Sequence, residues 1–513
     1  MSAESSAQPA AMRTDLSSSA GAMASGAARG ALGALIASVL ALAFQAIVRH
    51  IVDIRTMGLF TLATTVVVLA QLPALFGLEA GAVRYVSLGA AEGDERRARG
   101  AAQGALIAGL VLSTVGAVAL FVLAPDICAR FHKPEATHML RLASLALPLL
   151  CTSRVCAACV LGFGMTGRSS TITAAQNITR LLVTVPLVLL LADVTALGFG
   201  FAVAGLAGTV FAIWLLRSVS PKIFVPVRDR WALRSMIGFS WPQTLSQSLY
   251  LATLWTDTLV LAHYGTSLQV GIYGLVVALL APVSQLTVSV SQAFTPRIAG
   301  THARGDSAGL ASMLQRVSYW NLAVAIPILG SMAVLHHPLL DIFGRGYQAG
   351  GTALVLLVIG QLVLNAAGPL SAVINLSGHP RVTLFDNALV FAANLVLCVI
   401  LVPRYGLAGA AASTLVALCT VTLIQVGQVA RLFRIHPFRD DQLRCIAAGG
   451  VAALATSAIT MVSWPSPVLE VVAGAAIFLV VYGLAVAALG VREETRKLAI
   501  RARDRLLRRA PTW

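Results

Sequence analysis

Charged residues are scarce in this chain of 513 residues: only 11% are Asp, Glu, Lys or Arg, with 21 acidic against 37 basic. A soluble domain carries about 25% charged residues. Here 58% of the residues are hydrophobic and the mean hydropathy is +0.83. The composition excludes a soluble globular protein and predicts an all-α polytopic membrane protein, because long apolar segments cross a bilayer as helices.

Sequence patterns that mark catalytic sites are also missing. The chain has no Gly-Lys-Ser/Thr phosphate-binding loop, no nucleophile elbow and no His/Cys/Glu cluster with metal-ligand spacing. We therefore expect no enzyme activity, no catalytic residue, no metal site, no bound cofactor and no ATP-driven step within the chain.

Cysteine is sparse and odd in number, with seven residues lying mostly in apolar runs. Cys156 and Cys159 have the spacing of a redox pair, but no thioredoxin-like pattern surrounds them. We interpret them as small residues that pack a transmembrane helix, and expect no disulfide framework.

Basic residues give a formal net charge of +16 and a pI near 10.3. They lie between apolar spans, where orientation against the inner leaflet explains them better than nucleic-acid binding. Nucleic acid is therefore not an expected partner.

Fourteen apolar segments are long enough to cross the hydrocarbon core, which takes about 20 helical residues. Their predicted ranges are 31–50, 57–78, 102–124, 139–163, 172–192, 195–216, 236–262, 269–295, 315–336, 351–376, 382–402, 407–430, 444–463 and 468–489. The connections are short, which leaves no room for an extramembrane catalytic domain.

Lys and Arg residues are distributed unevenly between alternate connections. With the N-terminus inside, 29 fall in inside segments, 168–180 among them, and seven fall in outside loops. Because basic residues accumulate on the cytoplasmic side, both termini are predicted to be cytoplasmic.

The two tails are interpreted separately from the helices. Residues 1–30 are Ala/Ser-rich and read as a disordered cytoplasmic extension, and residues 490–513 form a basic cytoplasmic tail. The segment 492–509 would be amphipathic if helical, which suits either contact with anionic lipid headgroups or a topology-fixing stop signal.

An internal repeat with an offset of 213 residues divides the chain. Gly58 and Gly271 open corresponding apolar spans, Arg84 and Arg297 end them, and each Arg is followed by a short loop with Gly-Asp. Six spans per half insert both halves in the same direction, so the repeat is parallel. We predict an N-lobe of helices 1–6 (31–217), a C-lobe of helices 7–12 (236–433) and two further helices (444–489).

Ionisable residues inside spans are costly in a bilayer and are functional candidates. Arg154 has no acidic partner on its own helix, so it either lines a cavity or pairs with another helix. Asp257 could pair with an Arg, bind a coupling proton or cation, or serve packing. Asp386 follows Arg381 by about a helical turn, which also suits a local salt bridge.

Further cavity candidates are polar residues in or at the ends of spans. Gln243 and Gln247 share a helix face and suggest a wet or hydrogen-bonded seam, with helix–helix contacts as the alternative. Arg49 near the outer surface suits ligand binding or snorkelling. The complete set of substrate-binding candidates is Arg154, Arg49, Gln45, Gln243, Gln247, Arg84 and Arg297, with Asp257 and Asp386 as coupling candidates.

Six stretches resemble the polysaccharide-exporter family, the O-antigen and exopolysaccharide flippases of the multidrug/oligosaccharidyl-lipid/polysaccharide exporter superfamily. These are 77–87, 255–265, 270–273, 343–347, 394–397 and 403–414. The resemblance covers the first twelve helices through the order and spacing of these stretches. A total of fourteen helices is similar to the lipid II flippases.

The resemblance implies a two-lobed, V-shaped bundle in the bacterial inner membrane that flips undecaprenyl-pyrophosphate-linked oligosaccharide by alternating access. It further implies a cationic cavity and coupling to a proton or Na⁺ gradient. The expected partners are this substrate, membrane lipids, and a polysaccharide polymerase and chain-length regulator. Few charges in the first span depart from the lipid II flippases.

Two other classes fit parts of the sequence. A drug/cation antiporter of the same superfamily would use a buried acid such as Asp257 and predicts an acidic cavity, whereas Arg154 favours an anionic substrate. A membrane glycosyltransferase or polymerase would need a sizeable outer loop with acidic residues, and the predicted outer loops are short.

Overall fold

The computed structural model describes residue 33 and residues 35–191, 195–227, 231–303, 306–376, 380–461 and 464–489. The predicted tails 1–30 and 490–513 lie outside the described residues. Within these ranges the chain forms helices and connecting turns, with no strand.

Seventeen α-helices follow one another along the described chain. They are α1 Leu35–Ile51, α2 Ile54–Ala74, α3 Leu78–Ala91, α4 Glu95–Arg130, α5 Thr137–Ser144, α6 Ala146–Gly162, α7 Thr166–Leu191, α8 Thr195–Val219, α9 Trp231–Tyr264, α10 Ser267–Ala303, α11 Ser307–Val334, α12 His336–Asp341, α13 Gly351–Ala367, α14 Leu370–Leu376, α15 Pro380–Phe433, α16 Asp440–Ser457 and α17 Pro467–Ala488. Short 3₁₀ turns lie at Pro134–Ala136, Arg345–Gly350 and Ile459–Met461.

The predicted all-α membrane fold is confirmed, and every one of the fourteen predicted spans overlaps a helix. Nine helices among the described residues are long and apolar enough to cross a membrane, or ten if the bent pair Pro134–Ser144 and Ala146–Gly162 is one span. The protein is therefore a multi-pass membrane protein.

Three predicted spans are interrupted. The span 57–78 stops at Ala74, because Pro73 lies in the last turn of α2 and Gly77 has a positive φ of 79°. The span 139–163 bends by 40° between α5 and α6. The span 351–376 breaks at Gly368, where φ is 73°.

Helix α15 contains two antiparallel spans, in agreement with the predicted 382–402 and 407–430. Gly406 has φ 53° and ψ −123°, which a side chain would resist. After it the chain runs back along itself, because a β-carbon on Gly409 would overlap the Leu401 carbonyl oxygen. We call the two halves α15a and α15b.

The internal repeat is visible in the order of the helices. Adding 213 to the residue numbers places α2–α3 on α10, α4 on α11–α12, α5–α6 on α13–α14, and α7 and α8 on α15a and α15b. Helix starts correspond as well: the Asp53 side chain accepts a hydrogen bond from Thr56 N, and Thr266 Oγ1 accepts one from Gln269 N.

The lobes pack on each other through the two glycines that open the repeat. A β-carbon on Gly58 would overlap the Ser267 carbonyl oxygen, and one on Gly271 would overlap the Ile54 carbonyl oxygen. Ser267 is the repeat equivalent of Ile54, so each lobe presents the same patch to the other, as across a two-fold axis. We call this side of the bundle the glycine end.

The opposite side, the basic end, carries the connections after α3 and α8. Arg96 and Arg97 lie there in the first turn of α4, and Lys222 lies in the connection after α8. Helices α16 and α17 lie outside the repeat. Cys445 of α16 and Phe478 of α17 pack with Leu322 and Ile326 of α11 in the second lobe.

Candidate functional site

Polar side chains join the two lobes at the glycine end. Arg49 is only 5% exposed and donates from Nη1 to the Gly271 carbonyl (2.8 Å) and the Tyr347 hydroxyl (3.0 Å). Lys133 of the first lobe donates from Nζ to the carbonyls of Ala262 (2.5 Å) and Gly265 (2.9 Å) in the second. Burial lowers the pKa of the Lys133 ammonium.

Two cavities open where the lobes separate, on the basic side of the glycine contact. Cavity 1, about 200 Å³, lies between α1, α7 and α10, and cavity 2, about 260 Å³, lies between α2, α3, α6 and α9. Adding 213 to the residue numbers also places α1 on the second half of α9, and α2 on the first part of α10. The two cavities therefore occupy equivalent places on either side of the interface. The lobes are in contact at the glycine end, and both cavities lie between the lobes on the basic side of that contact.

Arg154 lines cavity 2, as the sequence predicted, and it is also paired with another helix. Its Nε and Nη2 donate to the two carboxylate oxygens of Glu79 at 2.5 and 3.3 Å, and its Nη1 donates to Gln71 Oε1 at 3.2 Å. The side chains of Arg154 and Glu79 remain 45% and 35% exposed. The interhelical ion pair therefore exists and stands in the cavity wall.

The other predicted cavity residues are spread over three places. Gln247 lines cavity 2 and Gln45 lines cavity 1, where Gln45 also accepts a hydrogen bond from Arg49 Nε at 3.1 Å. Arg49 itself lies in the lobe contact at the glycine end. Arg84 is exposed on α3 and lines neither cavity. The side chains of Gln243 and Arg297 lie outside the described residues.

Asp257 is buried in the second lobe, 2% exposed, and none of the ion pairs among the described residues includes it. Its Oδ2 accepts hydrogen bonds from the Tyr273 hydroxyl (2.5 Å) and Thr414 Oγ1 (2.9 Å), and its Oδ1 accepts one from Thr258 N (2.6 Å). The carboxylate thus joins α9, α10 and α15b. It faces oxygen-bearing side chains and not an Arg.

Asp386 lies near the start of α15a in the same lobe and is 0% exposed. Its Oδ1 accepts a hydrogen bond from Gln428 Nε2 at 2.6 Å, while Arg381 is exposed. Between the two acids, Asn387 donates to the Ser246 hydroxyl at 2.9 Å and Asn394 donates to the Thr253 carbonyl at 3.1 Å. A row of polar side chains therefore follows the contact of α9 with α15a.

Arg180 was assigned to the inside segment 168–180, and that assignment is wrong. It lies well within α7, where its guanidinium carbon is 4.2 Å from the ring centre of Phe44 and 5.4 Å from those of Phe60 and Phe201. Its Nε is buried without a hydrogen-bond partner. The isolated basic residue could have been noticed as a within-span charge, since α7 continues for eleven residues beyond it.

Comparison with known proteins identifies a family and a relative with similar sequences. Residues 24–302, more than half of the chain, match the sequence profile of the family described as "Polysaccharide biosynthesis protein". The "Probable flippase AglR" of Haloferax volcanii is 23% identical over 292 residues, which are 56% of this chain and 60% of that protein. The chain thus matches about three fifths of the length of that relative.

Solved structures of similar fold include "Lipid II flippase MurJ, inward closed conformation". It has a TM-score of 0.71 and 13% identity, and the match covers 90% of this chain and 98% of that one. An inward-facing multidrug resistance MATE family transporter of the MOP superfamily matches with a TM-score of 0.59 and 14% identity, over 80% of this chain and 94% of that one.

At these identities the structural likeness establishes the fold, and the sequence profile establishes the family. The profile match begins before α1 and extends through most of α10, so it contains Arg154, Glu79, Asp257 and both interface glycines. The resemblance inferred from the sequence is confirmed: the chain belongs to the polysaccharide biosynthesis protein family, and its helical fold is similar to those of the solved MurJ and MATE structures.

Proposed function

We propose that the protein is a flippase that moves undecaprenyl-pyrophosphate-linked oligosaccharide across the bacterial inner membrane by alternating access. The observation that supports this most directly is the guanidinium of Arg154 in the wall of cavity 2, between the lobes. A relative named as a probable flippase and the MurJ-like fold agree with it.

The chemistry of such a substrate explains why a charged cavity wall is needed. A pyrophosphate cannot enter hydrocarbon without a large desolvation cost. Arg binds phosphate oxygens through two parallel hydrogen bonds and keeps its charge at any physiological pH. An anionic headgroup in cavity 2 would compete with Glu79 for Arg154, so the ion pair holds the guanidinium ready without a permanent occupant.

Release on the other side requires the glycine end to open. The hydrogen bonds of Arg49 and Lys133 to the second lobe would then break, together with the Gly58–Gly271 contact. Apart from the bond from Arg49 to the Tyr347 hydroxyl, these contacts are made to backbone carbonyls or between backbones, and none of them is an ion pair. The contact therefore depends on shape and position, and separation breaks no ion pair.

Coupling to a proton or Na⁺ gradient is proposed at Asp257. Neutralising this carboxylate changes the hydrogen bond from Tyr273, which stands two residues after Gly271 in α10. A cation therefore acts next to the lobe contact, where it can stabilise one arrangement over the other. Asp386 is the second coupling candidate, at the other end of the polar row.

A drug/cation antiporter is the second candidate, favoured by the Glu79 carboxylate in cavity 2 and by the likeness to multidrug transporters. The two functions differ in which partner of the ion pair serves the substrate. An anionic headgroup needs Arg154, and a cationic drug needs Glu79.

The test is Arg154→Ala, which we expect to lower export of the lipid-linked oligosaccharide about 30-fold or more while abundance stays normal, since removing one partner of a charged pair costs about 2–5 kcal/mol. Arg154→Lys should rescue partly, because charge survives without the planar two-point geometry. Export and membrane abundance are measured in the same strain.

Arg55→Ala is the matched control, since Arg55 forms a similar pair with Glu135 away from both cavities. Normal export by Arg154→Ala would refute the role of Arg154. Loss of drug transport in Glu79→Gln, with Arg154→Ala unaffected, would establish the antiporter instead.

Both termini are proposed to face the cytoplasm, with the basic end inside. A reporter that is active only in the periplasm, fused after Trp513, is expected to stay silent, because basic connections are retained on the cytoplasmic side. The same reporter fused within the turn between α9 and α10 should be active, and reversed signals would overturn the orientation.

Polymerase and chain-length regulator remain proposed partners, testable by co-purification.

A further inference from the structure

The cores of the two lobes differ at equivalent positions. Asp257 and the two side chains that donate hydrogen bonds to it in the second lobe correspond, 213 residues apart, to three phenylalanines in the first. The pairs are Phe44 with Asp257, Phe60 with Tyr273, and Phe201 with Thr414. The equivalence is structural as well: Tyr273 and Thr414 both donate to Asp257 in the second lobe, and all three phenylalanine rings surround Arg180 in the first.

The second-lobe set presents oxygen atoms: a carboxylate with two hydroxyl groups on it. Protons and alkali cations bind to such oxygen atoms. The first-lobe set presents three aromatic faces, and Phe60 and Phe201 meet edge to face with ring centres 6.2 Å apart. Aromatic faces offer no lone pairs to a metal ion, but they attract a guanidinium within about 6 Å.

Arg180 fills the first-lobe set. Its guanidinium carbon lies within 5.4 Å of all three ring centres, and none of the ion pairs among the described residues includes it. The positive charge is thus held by ring faces and not by an acid. An Arg side chain stays protonated in proteins, so this charge is permanent.

We propose that Arg180 is a tethered cation that permanently occupies, in the first lobe, the site at which the second lobe holds the Asp257 cluster, so that only the second lobe takes up an exchangeable cation. The inference about exchange rests on the proposed coupling at Asp257. The occupancy of the first lobe rests on the geometry of Arg180 alone.

Both the Arg180 site and the Asp257 site lie next to the contact between the lobes. Phe60 follows Gly58 by two residues, and Tyr273 follows Gly271 by two residues, so both sites adjoin the lobe contact. In the first lobe the charge beside this contact is fixed. In the second lobe this charge changes when the coupling ion binds or leaves. Ion binding therefore alters the lobe contact from the second lobe alone.

Chemical rescue tests the occupancy. Arg180→Ala should leave a space walled by three phenylalanines and should unfold at a lower temperature than wild type in detergent. Guanidinium at low millimolar concentration is expected to recover about half of that loss or more by binding the folded state. Urea, which has the same planar shape without the charge, should recover none, and neither solute should raise the wild-type value.

A Phe44→Leu change in the Arg180→Ala background is the matched control, because it removes the closest aromatic face and should weaken the guanidinium effect. Equal effects of urea and guanidinium, or no effect of guanidinium on a folded Arg180→Ala protein, would overturn the proposal. This readout does not involve a transported substrate, so it stands apart from the proposed flippase activity.

A second pair of variants decides the matter if Arg180→Ala fails to fold. Arg180→Lys keeps a cation against the rings, and Arg180→Met keeps similar length without charge. We expect export per unit of membrane protein to be higher for Lys than for Met. Equal or higher export by Arg180→Met would show that the rings need only an apolar filler and would refute a tethered cation.

Ion titration tests the exchange. Stabilisation of the wild type by the coupling cation should follow a single-site curve and vanish in Asp257→Asn, while the guanidinium rescue of Arg180→Ala persists in that background. A cation-binding step that persists in the double variant Asp257→Asn/Asp386→Asn would refute the claim that only the second lobe responds. Loss of the guanidinium effect in Asp257→Asn would refute the independence of the two sites.

Discussion

Asp257→Asn is expected to slow export by about tenfold or more without lowering the amount of protein in the membrane. The change is nearly isosteric, so packing among α9, α10 and α15b is kept while the charge that a coupling ion neutralises is lost. Coupling free energies of about 1–3 kcal/mol correspond to roughly 5- to 150-fold effects. Initial rates in proteoliposomes with an imposed proton or Na⁺ gradient measure the loss, and the gradient that no longer accelerates Asp257→Asn identifies the ion.

Asp126→Asn controls for this change, because Asp126 is an exposed acid near the end of α4 and undergoes the same chemical replacement. Tyr273→Phe and Thr414→Val each remove one donor to the Asp257 carboxylate and should slow export less. If Asp257→Asn lowers abundance and export together, the residue has a structural role. Normal export would remove Asp257 from the mechanism and leave Asp386→Asn as the remaining test.

The helical fold could be predicted from the sequence because each span depends on a local property, the length of an apolar run. The repeat could be predicted as well, since Gly58 and Gly271 stand in similar local sequences. Interruptions were harder to see. Gly77 and Gly368 break spans through positive φ angles, while many other glycines lie inside helices without effect.

The sequence pattern could not predict which side chains pair between different helices. Arg154 and Glu79 are 75 residues apart, and Arg49 and Tyr347 are 298 apart, so nothing in either local sequence names the partner. Arg180 shows the same limit in another form. A count of basic residues treats it as part of a loop, whereas the three aromatic rings that hold it come from three other helices.

We expect the largest steric effect from substitutions in the contact between Gly58 and Gly271. Gly58→Ala and Gly271→Ala should each force the lobes apart at the glycine end, because either β-carbon would overlap a backbone carbonyl that cannot rotate away. Overpacking typically costs about 1–3 kcal/mol, so the arrangement seen here should lose roughly 5- to 150-fold in population. Export should fall by more than about tenfold in both variants.

The lobe separation can be followed directly with spin labels on cysteines at His50 and Gln348, exposed neighbours of Arg49 and Tyr347 across the contact. Both alanine variants should lengthen this distance, and to a similar extent, because the two glycines are equivalent in the repeat. Gly104→Ala is the control, because Gly104 lies inside α4 with open space at its β-position. Alanine there should leave the label distance and export unchanged. It should also stabilise the helix by about 0.5–1 kcal/mol. An unchanged label distance and wild-type export in Gly58→Ala or Gly271→Ala would show that the lobes do not close through this contact.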